Sequence, residues 1–282
     1  MNDLKSANQI IKAFEEKIAN PQLYNRKKEL YTGVDLGTAY IVLAVIDEDG
    51  NPVAGAMHFA QVVRDGLVVD YIGAVDIVRE LKAKIESVLG VELLKAGVAY
   101  PPGTSVGDQK TISNVAEAAG FDIIASIDEP TAANNVLHVL DGAVVDIGGG
   151  TTGTAILENG QVTYIADDPT GGTHFSLVIS GAYKISFEDA EKLKMNPDKH
   201  QELLPIVKPV IQKVASIIKQ HIQNHIVKKV YLVGGTSCFT QLEKIVQAEL
   251  NLPTFKPENP FLVTPLGIAL EVSKVCSKVK LS

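Results

Sequence analysis

Residues Ala143 to Asp167 read AVVDIGGGTTGTAILENGQVTYIAD: an apolar strand running into Asp146, three consecutive glycines, a second strand, a tight Asn159-Gly160 hairpin turn and a third strand. Consecutive glycines weaken a hairpin and carry an entropic cost, so a run of them implies that another group must approach the backbone closely there. Amides exposed in such a turn form a nest for phosphate oxygens. A carboxylate at the strand end, Asp146, suits a hydrated magnesium ion, which takes few protein oxygens and keeps its waters.

A related turn stands 111 positions earlier, where Gly33 to Tyr40 read GVDLGTAY. A strand ends at Asp35, Gly37 gives the turn conformational freedom, and a second strand starts near Tyr40. By itself this is equally well a hairpin whose aspartate caps its own turn. Paired with the later turn it signals internal duplication. Working outward, YIVLAVID and NPVAGAMHFA read as strands joined by the polar DEDGN, Ile72 to Leu89 has helical spacing, and Ala96 to Tyr100 reads as a buried strand. Helix and strand then alternate to Ile127. The second cycle continues with helices over about 173–225, a strand KKVYLVGG, a helix over 240–250, and a last helix with Thr264 as cap and Pro265 in its first turn. The expected fold class is α/β, built twice, with an N-terminal amphipathic helix and linker at 1–29, lobe I at 30–141 and lobe II at 142–282, whose final helix returns towards lobe I.

Composition narrows the function classes. The chain has 282 residues, 46% hydrophobic and 21% charged, with a net charge of -7, which describes a folded rather than a disordered chain. An acidic balance without a basic stripe argues against nucleic-acid binding. With no Trp and 6% aromatics there is no platform for stacking single strands. Two cysteines, Cys238 and Cys276, give no disulfide framework and fit a reducing compartment. No N-terminal leader pattern and no uninterrupted apolar run of about 18 residues is visible, so a cytoplasmic protein without a membrane span is expected.

Four motifs follow one another along the chain: GVDLGT, DEPTAA (Asp128 to Ala133), VVDIGGGTTGTAIL and VYLVGGTS. In this order they resemble the phosphate 1, connect 1, phosphate 2 and adenosine motifs of the actin-like ATPase superfamily. DEPTAA looks most like the nucleotide-binding domain of DnaK-like heat-shock chaperones. Within the superfamily, GAVDIVR, YPPGT, PTGGTHFSL and KISFEDAEKLK together look like the EutJ family of ethanolamine utilization proteins from bacterial microcompartment operons. The resemblance covers roughly Tyr31 to Cys276. It implies a duplicated, ribonuclease H-like actin fold with two lobes around a nucleotide cleft and reduced peripheral subdomains. It also implies ATP or ADP with Mg2+ as ligands, and a protein partner or client connected with ethanolamine enzymes or a microcompartment.

Residue by residue, the resemblance assigns Asp35 and Asp146 to magnesium, and Gly37, Thr38, Gly148, Gly149, Gly150 and Thr151 to the phosphates. It assigns Gly234 and Gly235 to the adenosine, and Glu191 and Lys194 to the acid and base that clamp the nucleoside. Glu129 matches the connect-motif acid that orients an attacking water, a task for which a carboxylate near magnesium is chemically suited. Asp128-Glu129-Pro130-Thr131 equally reads as a helix start with Asp128 as cap. Glu191 and Lys194, three apart, equally read as a solvated salt-bridged face.

Two departures set hydrolysis apart from binding. Ala39 stands where the chaperone pattern has a second hydroxyl, and the chaperone lysine of the first lobe has no counterpart. Arg64 is the only cation between Lys28 and Arg79; it is the candidate to stabilise charge on a terminal phosphate, with a plain surface arginine as the alternative. A slow ATPase therefore stays open, while nucleotide binding is expected. A small-molecule kinase of the superfamily would need chain for an acceptor pocket, and only 182–206 offer it. A non-hydrolysing scaffold is the other alternative. The helix carrying Ala7, Ile11, Phe14 and Ile18 on one face would then meet a partner, unless it docks on its own body. His221 and His225, four apart, would share one helix face but lack a third zinc ligand.

Overall fold

The computed structural model describes residues 4–25 and 27–281. Residues 1–3 of the expected N-terminal segment and Arg26 of the expected linker lie outside the described residues. The chain divides into two units: unit 1 is 1–138 with 262–282, and unit 2 is 139–261. The final helix, which the sequence boundaries group with lobe II, is thus part of unit 1.

In unit 1, β1 (Leu30–Leu36), β2 (Tyr40–Asp47) and β3 (Pro52–Phe59) form an antiparallel meander, because each connection is short. A small hairpin follows, β4 (Val63–Arg64) and β5 (Leu67–Val68), then α2 (Tyr71–Leu89), β6 (Lys95–Tyr100), α3 (Val106–Ala118) and β7 (Asp122–Asp128). Strands β6 and β7 run parallel to β1, giving the order β3-β2-β1-β6-β7. One face of the sheet, with Val34, Leu43 and Val45, packs on Val78, Leu81 and Ile85 of α2 and Ile112 and Val115 of α3.

Helices α1 (Lys5–Ala19), α4 (Glu129–Leu137) and α9 (Val263–Leu281) complete this unit. Helix α9 lies on β1 at backbone distance: a Cβ on Gly33 would stand 2.2 Å from the Pro265 carbonyl oxygen. A Cβ on its Gly267 would stand 2.0 Å from the Ala132 carbonyl of α4. Asn135 of α4 donates to the Gly267 carbonyl (3.0 Å) and to Glu271 (2.9 Å), which satisfies polar groups inside this tight pair. Helix α9 starts one residue before the expected cap, because the turn Pro260–Leu262 runs straight into it and leaves Thr264 inside the helix. The stretch Pro260–Val279 is long and apolar enough to cross a membrane, yet 61% of it is buried, as in a core helix of a folded unit.

Helix α1 docks on β3. Ala7, Ile11 and Phe14 are buried, and Phe14 and Ile18 occupy the space a side chain at Gly55 would need. The apolar face that offered a partner-binding reading is covered by the protein's own sheet.

Unit 2 repeats the plan: β8 (Gly142–Ile147), β9 (Thr152–Glu158) and β10 (Gln161–Asp168) form the meander. Strands β11 (Val230–Val233) and β12 (Thr254–Phe255) extend it in parallel, in the order β10-β9-β8-β11-β12. The helices expected over 173–225 are three, α5 (Gly172–Tyr183), α6 (Phe187–Met195) and α7 (His200–Ile222). Lys184 takes a left-handed cap at φ 55, and Asn196-Pro197 ends α6. Helix α8 (Leu242–Leu250) precedes β12. Phe175, Val207, Ile211, Val214 and Ile218 bury the face of the sheet that carries Val145, Ile147 and Ile156. Segment 182–206, considered above as room for an acceptor pocket, is built into this unit as the end of α5, all of α6 and the start of α7.

Candidate nucleotide half-sites

Unit 2 gathers most of the expected residues at the carboxyl ends of its parallel strands, the edge at which open α/β sheets receive ligands. Asp146 stands next to last in β8, opposite Val233 of β11, and is 5% exposed. Gly234 begins the turn after β11 with φ 86, and a Cβ there would stand 2.2 Å from Asp146 Oδ1. The glycine therefore makes room for the carboxylate. Gly235 is next, with the Phe261 ring 3.3 Å from the position of a Cβ.

The turn Gly148 to Thr151 is held from behind. The Gly148 carbonyl accepts from the Gly172 amide (2.9 Å) and from Thr236 Oγ1 (2.7 Å), and the Gly149 carbonyl accepts from the Thr173 amide (2.7 Å). Gly171 passes so close that a Cβ on it would lie 2.6 Å from the Gly148 oxygen. The close approach that three glycines implied is thus made by the chain itself, at the start of α5. With the carbonyls engaged, the amides of Gly149, Gly150 and Thr151 make no hydrogen bond among the described residues. Unbonded amides beside the positive end of a helix are what an anion requires.

Glu191 and Lys194 of α6 are brought to the same place, and they are buried rather than solvated, with side-chain exposures of 7% and 12%. Lys194 Nζ lies 2.7 Å from Glu191 and donates to the Gly172 carbonyl at 3.1 Å. Ser176 donates to the same Glu191 oxygen at 2.5 Å. Burial draws the Lys194 ammonium below the usual lysine range, and the Glu191 carboxylate opposes that shift. His200 supports the cluster: its ring stacks on Phe239, Nδ1 accepts from the Thr240 amide at 2.9 Å, and Nε2 meets the Lys194 carbonyl at 2.7 Å. The two bonds select the neutral Nε2–H tautomer, in keeping with a pKa lowered first by burial.

Unit 1 presents the matching edge. Asp35 is next to last in β1, the same place Asp146 holds in β8. The connecting turn is one residue shorter, Gly37 to Ala39, and its amides make no hydrogen bond among the described residues. Gly37 is outside the left-handed region; it is required because a Cβ would lie 2.8 Å from the Tyr40 carbonyl oxygen. Thr38 is half-buried in this turn. Glu129 opens α4, two strands away along the same edge, and Asp128 caps that helix by accepting from the Thr131 amide at 3.0 Å. Burial pushes the Asp128 carboxyl up, and the bond from Thr131 partly offsets the rise. Both readings of Asp128-Glu129-Pro130-Thr131 fit one geometry, with the first carboxylate spent on the cap and the second carried on the first turn.

Arg64 is exposed on the β4–β5 hairpin and makes no ion pair among the described residues. Gly66 of that hairpin sits against Pro101, directly after β6, so the hairpin touches the carboxyl end of that strand.

Gly171, Gly172 and Thr236 are not among the residues the sequence motifs single out. A signal for the glycines existed in PTGGTHFSL, a second glycine pair between strand and helix. Thr236, adjoining the GG of the adenosine motif, carried none, because its partner is 88 positions away. His221 and His225 do not share a helix face: α7 ends at Ile222, His221 bonds Thr154 (2.9 Å), and His225 packs on the Tyr164 ring. Cys238 is exposed at the end of the turn that follows Gly234.

The sheet order repeated in both units, with an aspartate and a short turn at the same strand end of each, defines a duplicated α/β protein of the actin-like ATPase fold. MreB5 of Spiroplasma citri, solved with bound AMPPNP, superposes with a TM-score of 0.71 at 15% identity, over 91% of this chain and 99% of that one. The family described as type IV pilus assembly protein PilM matches residues 115–267. Ethanolamine utilization protein EutJ of Escherichia coli K12 is 42% identical over 241 residues, 85% of each chain. The crystal structure of EutJ from Carboxydothermus hydrogenoformans superposes with a TM-score of 0.89 at 47% identity, over 96% of this chain and 99% of that one. The chain belongs to the EutJ family.

Proposed function

We propose that this protein binds Mg-ATP and serves ethanolamine utilization as a chaperone-like accessory factor in the cytoplasm. Nucleotide-dependent movement of its two units would control a protein partner, an ethanolamine enzyme or a microcompartment component. The observation that carries the nucleotide reading is the glycine turn of unit 2. The Gly148 and Gly149 carbonyls are bonded inward, the amides of Gly149 to Thr151 are left for an anion, and Asp146 and the Lys194–Glu191 pair stand beside the turn.

The donor set fits magnesium held mainly by phosphate and water. No group of three or more His, Cys, Asp or Glu residues among the described residues forms a protein cage, and Asp146 and Asp35 are single carboxylates at strand ends. Bound magnesium would neutralise phosphate charge. The residues of this chain would do the rest: the amides of Gly149 to Thr151 and of Gly37 to Ala39, with Thr38, hold phosphate oxygens, and the turn at Gly234 and Gly235 borders the nucleoside. Glu191 and Lys194 clamp that nucleoside. Glu129 would orient water, and Arg64 would approach the terminal phosphate only if its hairpin moves a charged side chain inward. Hydrolysis is accordingly the slower and secondary activity; a non-hydrolysing scaffold keeps the same binding residues.

The test is thermal unfolding with and without Mg-ATP. A rise in the melting temperature is expected, reduced or abolished in Asp146→Ala and Asp35→Ala; an unshifted wild-type protein refutes the proposal. Phosphate release from Glu129→Gln and Arg64→Ala, measured against wild type, separates turnover from binding.

A further inference from the structure

We infer that Thr236 is a positioning residue: its hydroxyl ties the nucleoside side of unit 2 to the phosphate turn, so that the turn amides take their phosphate-binding arrangement. The inference rests on the nucleotide reading above and adds a residue and a link to it. Thr236 is buried, at 5% exposure, and its Oγ1 donates 2.7 Å to the Gly148 carbonyl. That carbonyl is the first of the glycine turn and already accepts from the Gly172 amide. Holding both lone pairs of one carbonyl fixes the plane of the peptide that follows, and this peptide contains the Gly149 N–H, first of the three unbonded amides.

The site is built around this hydroxyl. A Cβ on Gly172 would lie 2.3 Å from Thr236 Oγ1 and 3.2 Å from Lys194 Nζ, so glycine is needed at 172 for the tether to form. Thr236 itself follows Gly234 and Gly235, whose bare backbone belongs to the nucleoside side. Lys194 reaches the same α5 residue through the Gly172 carbonyl. A nucleoside lying on 234–235 is therefore one side chain away from the loop that holds its phosphates. A binding site without this link would recognise the two parts of the ligand independently.

The full chain tests this by competition of ADP and AMP against a fluorescent ADP analogue. Thr236→Val keeps the shape and removes the hydroxyl, and the Gly172 amide still satisfies the Gly148 carbonyl, so the fold is retained. ADP affinity is expected to fall about five- to tenfold, the worth of one neutral hydrogen bond, while AMP affinity changes less than about twofold. Thr236→Ser should restore ADP binding. Equal losses for ADP and AMP, or no rescue by serine, overturn the tether and leave the nucleotide reading standing. A wild-type protein that fails to bind the analogue overturns both.

Discussion

Lys194 and Glu191 are largely cut off from water, and each has the other and a few fixed neighbours as its polar contacts. Removing one partner costs more than the pair is worth. Lys194→Met would leave the Glu191 carboxylate with Ser176 as its remaining donor. A loss of about 3–5 kcal/mol in urea unfolding is expected, largely recovered in the double variant Lys194→Met, Glu191→Gln. A single-variant loss below about 1 kcal/mol would show that water reaches the pair. At this scale the sequence was ambiguous for a definite reason. An acid and a base three apart lie on one side of a helix whether that side faces solvent or a core. Gly234 is a comparable case: GG after a strand was visible, but the clash with Asp146 that demands it is a tertiary distance.

Among the elements, α1 has the clearest energetic role. Phe14 is fully buried on β3, in the space left by Gly55, and Ile11 beside it is nearly so. Phe14→Ala should destabilise the protein by about 3–5 kcal/mol, read by urea or thermal unfolding. Lys12→Ala, on the exposed side of the helix, should stay within about 0.5 kcal/mol. If both variants behave alike, α1 does not hold unit 1 together in solution. Helical periodicity established the apolar stripe of α1 and left its occupant open. Strands β1, β2 and β3 were legible almost to the residue, since they are apolar runs with short turns between them, whereas the two-residue strands β4, β5 and β12 carried no legible run. Helices α5 to α7 were less so, because a left-handed Lys184 has no glycine to announce it.

On the scale of the whole molecule, unit 2 is one continuous segment, whereas unit 1 is closed by residues from both ends of the chain. Helix α9 covers Gly33 of β1 and packs on α4 through Gly267, so a fragment ending at His138 leaves the α9-facing side of the β1 strand open. Fragment 1–138 alone is expected to lack a cooperative unfolding transition, and 1–138 joined by a flexible linker to 262–282 is expected to gain one. A cooperative transition in the shorter fragment would assign α9 a lesser part. The sequence by itself determined the duplication, the strands of the two meanders, the place of Asp35 and Asp146 at equivalent strand ends, the glycine turns and the EutJ-like motifs. All of these are local patterns, in which hydrophobic period, glycine and a strand-end charge fall within a few residues of one another. Only the tertiary structure decided that Glu191 and Lys194 are buried, that α1 covers β3, that α9 belongs to unit 1, and that Gly148, Gly172 and Thr236 meet at one carbonyl. Those facts depend on distances between residues tens of positions apart, and chain packing sets such distances where no local pattern encodes them.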